Sequence, residues 1–97
     1  MDLTDWNITP DADGNDDFLF CEDGYDLCVM VWHDYDPAYK QLHWQVDEYF
    51  LVDEWGNMVT NDNAGMSHEL FSAYEPDIKH AIETKLVDHF KPANFWR

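Results

Sequence analysis

Apolar and polar positions set out a hairpin first. Residues 18–22 and 25–33 are two apolar runs separated by Asp23-Gly24, a pair that closes tight hairpins because both positions tolerate positive φ. Alternation with a period of two places Phe18, Phe20, Tyr25, Leu27, Val29 and Val31 on one face, and Leu19, Cys21, Cys28, Met30 and Trp32 on the other. Both faces of the second run are apolar, which predicts a central strand covered at least in part on both sides, with a helix as one cover.

On either side the pattern is weaker. Residues 1–17 carry few anchors beyond Leu3, Trp6 and Ile8, and predict a short edge strand or extended arm followed by a loop. Residues 34–40 form a link with Asp36-Pro37 as turn initiator. Residues 41–53 predict a long strand in which Leu42, Trp44, Val46, Phe50 and Val52 share a parity with Glu48. Burying an unpaired carboxylate is costly, so a bulge or break is expected near Asp47-Glu48. Residues 54–57 predict a turn, 58–60 a short further strand and 61–65 a loop.

Helical spacing appears only after about residue 67. Ile78, Ala81, Ile82, Leu86 and Phe90 make an apolar stripe, Ser72 and Glu75 match a capping box, and Pro76 falls where a first turn accepts it. Glu75 and Asp77 near the start, with Lys85, His89 and Lys91 near the end, suit the helix dipole, and Pro92 closes the stretch. Residues 67–74 could form a separate short helix. The fold class expected is α+β: an antiparallel sheet of about four strands with a C-terminal helix packed on one face, as a single domain over residues 1–97.

Charge changes this picture most. Twenty-one Asp and Glu oppose five Lys and Arg, a net −16. Residues 1–63, the mostly β part, hold sixteen acids and one base, whereas the helical residues 64–97 hold five acids and four bases. Aromatic residues at 16% exclude an acidic disordered chain. A net charge of magnitude about 2–8 suffices for solubility, and a larger excess destabilises through self-repulsion. For a compact chain of this length, about 30 Å across, sixteen charges approach those of duplex DNA of equal extent. A basic partner is implied, and direct contact with nucleic acid or an anionic membrane is disfavoured. Adaptation to high salt is the competing explanation. No apolar leader or membrane-length run occurs, so a cytoplasmic protein is expected.

Candidate chemistry is sparse. Asp23-Gly24 as the turn makes Cys21 and Cys28 diagonal neighbours on one face, a poor disulfide geometry, and reduced half-buried thiols are expected. Asp11, Asp13, Asn15 and Glu22 fit calcium-loop positions, but the sixth position holds Asp16 in place of Gly and a strand begins too early. The five histidines and two cysteines lack paired zinc-ligand spacing, and the histidines are expected as surface residues. Neither a G-x-S-x-G nor a phosphate-binding loop is present. No cofactor, metal or enzymatic activity is therefore expected.

What remains is carboxylates spaced along strands, about 6.6 Å between i and i+2, or about two phosphate rises of a DNA strand. The candidate partner-binding residues are Asp11, Asp13, Asp16, Asp17, Glu22, Asp23, Asp34, Asp36, Asp53 and Glu54, with Tyr35, Tyr39 and Trp55 as aromatic anchors. In size, acidity and mixed pattern the chain resembles the small DNA-mimic inhibitors of phages and mobile elements, of the anti-CRISPR and anti-restriction type. That resemblance is compositional and covers residues 1–63 best. It implies a non-enzymatic inhibitor whose carboxylates occupy the Lys and Arg of a nucleic-acid-binding protein or complex, a CRISPR surveillance complex foremost. The alternative is an immunity protein or antitoxin that blocks the basic active site of a nuclease toxin.

Overall fold

The computed structural model describes residues 1–59 and 65–90. Four strands run in sequence order across one antiparallel sheet: β1 (Asp2–Asn7), β2 (Asp13–Glu22), β3 (Tyr25–Asp36) and β4 (Gln41–Val52). A helix, α1 (Met66–Phe90), packs across one face. This is the α+β architecture the sequence predicts.

The hairpin register is the one Asp23-Gly24 dictates. Cys21 pairs with Asp26 and Leu19 with Cys28, and the turn residues take φ of 50° and 82°. Phe18, Phe20, Leu27, Val29 and Val31 are fully buried against Ile78, Ile82 and Leu86 of α1. Each such side chain contributes about 1.5–3 kcal/mol of burial free energy. Tyr25 belongs to the same face but lies beyond the helix, 43% exposed.

Several expectations need correction. β2 begins at Asp13, five residues before its apolar run, and β3 continues to Asp36, so residues expected in loops lie on strands. The fourth strand of the sheet is β1; residues 58–59 add only an isolated bridge, Met58 to Val52, and Thr60 and residues 61–64 of the expected strand and loop lie outside the described residues. Among the described residues only one face of β3 is covered by another element, since α1 sits on the Val29 and Val31 side. Lys91 and Pro92 also lie outside the described residues.

The bulge falls at the expected place and has a larger effect than expected. Val31 pairs with Val46 but Met30 with Glu48, which leaves Asp47 as the extra residue. One inserted residue exchanges the faces of everything after it. Leu42, Trp44 and Val46 pack towards α1, and so do Tyr49 and Leu51, while Phe50 and Val52 turn to the opposite face. The shared parity of Leu42 and Phe50 is thereby broken.

The helix bends at Tyr74, whose φ of −116° and ψ of 16° lie outside the helical well. Pro76 sits two residues later, in the first turn of the second segment, where no intrahelical partner for its missing N–H is needed. The break replaces the expected capping box: Ser72 precedes it and its Oγ contacts His68 Nε2 at 3.4 Å.

Candidate functional site: an acidic open sheet face

The face of the sheet turned away from α1 follows from the register. Across the strands its rows are Asp2, Cys21, Asp26 and Val52; then Asp5, Leu19, Cys28 and Phe50; then Asn7, Asp17, Met30 and Glu48. Beyond these come Asn15, Trp32 and Gln45; then Asp13, Asp34 and His43; and finally Asp36 with Gln41. Eight carboxylates lie on these positions and no Lys or Arg does. Leu19, Cys28, Met30, Trp32 and Phe50 form a half-buried apolar strip between them.

Of the predicted partner-binding residues, Asp13, Asp17, Asp34 and Asp36 share this open face. Asp13 and Asp34 are direct cross-strand partners, and both are exposed. Like charges so placed destabilise a sheet by roughly 0.2–1 kcal/mol. The fold tolerates repulsion here that an Asn at either position would remove.

Asp11 lies in the connection from β1 to β2, which is pinned at four points. Thr9 N–H donates to Asp16 Oδ1 at 2.9 Å and its hydroxyl to the Asn15 carbonyl at 2.6 Å. The Asp11 carbonyl lies 2.9 Å from His33 Nε2, and the Ala12 carbonyl accepts from Tyr35 N–H at 2.6 Å. Gly14 permits the close approach: a Cβ there would meet Thr9 Cγ2 at 2.6 Å.

Asp16 is the principal correction. It is a buried core residue, not a contact residue, with its Oδ2 2.6 Å from Nδ1 of the buried His33. His33 in turn is not the surface residue expected of every histidine. Its Nε2–H donates to a carbonyl, and a second hydrogen lies between Nδ1 and the carboxylate, so the pair is net neutral. Phe90 covers the imidazole, ring centroids 4.7 Å apart. The pair is the internal post that holds the loop bearing Asp11. Sequence alone could not connect residues 16 and 33 without the early start of β2.

The remaining candidates divide by role. Tyr35 is half-buried and stacked on Phe90 at 5.0 Å, on the helix side, so it is scaffold and not an anchor. Glu22 pairs with Tyr25 on the helix-side parity and reaches the Met1 amino group at 2.9 Å. Asp23 is exposed at the hairpin tip. Asp36 Oδ1 accepts from Ala38 N–H at 2.9 Å and Tyr39 N–H at 3.4 Å, and Asp53 Oδ1 from Trp55 N–H and Asn57 N–H at 2.9 Å. One device thus fixes both exposed aromatic tips, Tyr39 at 76% and Trp55 at 77% exposure. Glu54 is exposed beside Trp55.

The calcium-loop match does not form a loop: Asp13 to Glu22 is one strand, with Asp13 and Asn15 on the open face and Glu22 on the other. No group of three or more His, Cys, Asp or Glu among the described residues is arranged to hold a metal ion. Both cysteines are free. Burial, then the neighbouring Asp17 and Glu48, pushes the Cys28 thiol up to about 11, and the hydrogen bond to Asp26 raises Cys21. No described helix is long and apolar enough to cross a membrane. No protein-family model, no curated protein and no solved structure matches the chain.

Proposed function

We propose that the protein is a non-enzymatic DNA mimic that occupies the basic DNA-binding surface of a nucleic-acid-binding protein or complex in the cytoplasm of a host cell, a CRISPR surveillance complex being the preferred target. The observation that carries this reading is the open sheet face: eight strand-borne carboxylates and no Lys or Arg, on a hairpin whose adjoining loop is fixed by internal hydrogen bonds. Strand geometry repeats charge at about 6.8 Å along each strand and about 4.8 Å between strands, a lattice that Lys and Arg placed for phosphates can meet. Asp13, Asp17, Asp34 and Asp36 supply the contact, with Asp11 beside them and Tyr39 and Trp55 at the ends. Asp16 supports the surface from within.

Co-purification from cells that carry CRISPR or restriction machinery, followed by competition with duplex DNA, tests the proposal. Capture of such a complex and loss of its DNA binding are expected. Capture of a single nuclease toxin in its place would favour an immunity protein. That alternative draws support from the two exposed aromatic tips, since a small aromatic and acidic hot spot is what a plug in one active site would use.

A further inference from the structure

On the open face a shallow depression lies between the Asp17 and Asp26 rows. Its floor is apolar: Leu19, Cys28 and Phe50 adjoin across three strands, with Met30 beside them. Its rim is acidic, with Asp17 at one end and Asp26, Asp53 and Glu54 at the other. The turn after β4 closes that end. Asp53 Oδ1 is committed to the turn amides, and its second oxygen is not used there.

A pure phosphate mimic needs no apolar floor. A second copy of this chain would bring a like-charged face against this one, and a small inorganic cation gains nothing from Leu19 or Phe50. Resting on the DNA-mimic reading, we propose that the depression receives an arginine side chain of the basic partner. Its stem lies over the Leu19, Cys28 and Phe50 row, and its guanidinium meets Asp26, Glu54 and the free oxygen of Asp53. Adjacent rows are about 6.8 Å apart along a strand, so stem and head group fall on successive rows. Arg is preferred to Lys because a planar, weakly hydrated guanidinium stacks on an aromatic ring and takes carboxylates in a fork, whereas an ammonium stays hydrated. The inference adds a side-chain preference to a surface otherwise read by charge alone.

The test is an NMR titration of the full chain with two blocked peptides of alternating Gly and Arg or Gly and Lys. With the Arg peptide, amide shifts should concentrate on Leu19, Cys28, Met30 and Phe50 and persist at 0.3 M salt, with the Lys peptide at least fivefold weaker. Phe50→Leu keeps an apolar floor without the ring and should weaken the Arg peptide about two- to fivefold. Asp26→Asn with Glu54→Gln should weaken it about tenfold and lessen the preference for Arg. Equal affinity for both peptides, or shifts centred on Asp13 and Asp34 that vanish with salt, would overturn the proposal. So would a shift of the floor amides with protein concentration alone, which would assign the face to a second copy. Failure here leaves DNA competition intact as evidence for the mimic, and failure of that competition leaves a localised Arg response standing.

Discussion

Asp16 and His33 show how one buried pair can govern a surface it never reaches. Removing one partner leaves the other buried without its counterpart, at a cost of about 3–5 kcal/mol. Asp16→Ala should lower the urea stability by that amount and speed hydrogen exchange at the Thr9 and Tyr35 amides, because the loop loses its post. An unchanged urea midpoint would show that the loop holds itself. Asp34 has the opposite sign. Relieving its repulsion with Asp13, Asp34→Asn at pH 8 should stabilise the fold by about 0.2–1 kcal/mol while weakening partner binding, the signature of charge kept for function. Destabilisation by that change would assign Asp34 a structural role. Cys28 gives a pH test. An unfolded thiol ionises near 9.0 and the folded one near 11, so between these values the folded chain binds more protons than the unfolded chain. Its contribution to stability is therefore whole below pH 9 and lost as pH rises towards 11. Denaturant midpoints of wild type and Cys28→Ala should converge over that window.

The elements explain what could be read in advance and what could not. Asp23-Gly24 between alternating runs fixes the hairpin register and the buried set Phe18, Phe20, Leu27, Val29 and Val31, because turn chemistry and pattern agree. Glu48 in an apolar parity reveals the bulge, since a carboxylate on the core side is so costly. The consequences of tertiary pairing are not visible in the same way. Asp13 to Asp17 reads as loop because the run is polar, yet β3 opposite it recruits the segment into β2. Tyr35 looks like an anchor in an acidic link until Phe90 of α1 stacks on it. Asp47 makes the element argument testable. Deleting it joins Val46 directly to Glu48, so plain alternation keeps Tyr49 and Leu51 towards α1 in their register with β3, and the domain should retain a native near-ultraviolet circular dichroism spectrum. Loss of that spectrum would mean the bulge itself is required, for the bend and twist it gives β4.

At the scale of the whole molecule, the protein is longer and narrower than its length in residues suggests. The extents are 47 × 21 × 20 Å and the radius of gyration is 14.5 Å, against about 12.5 Å for a compact chain of this size. Sixteen net charges over 47 Å give one per about 2.9 Å, nearer the 3.4 Å spacing of a single DNA strand than the 1.7 Å of the duplex. The comparison with a duplex of equal extent, drawn for a sphere about 30 Å across, is thus replaced by a comparison with one strand. On the proposed reading, the open face stands in for one phosphate backbone, and α1, with five acids and two bases, faces away from the partner. High-salt adaptation would produce unfolding at low salt, so a melting series against salt concentration separates it from the mimic.

The central claim is met most directly by displacement of a labelled duplex from a purified CRISPR surveillance complex, titrated with wild type and with a double reversal, Asp13→Lys with Asp34→Lys. Neither side chain has a hydrogen bond to lose in the turns or the buried pair described above. Wild type should displace the duplex at one molecule per DNA site, with affinity that falls as salt rises. The double reversal should need on the order of 100-fold more protein for the same displacement. Binding of wild type that leaves the duplex in place, or equal displacement by the reversed protein, would contradict the account.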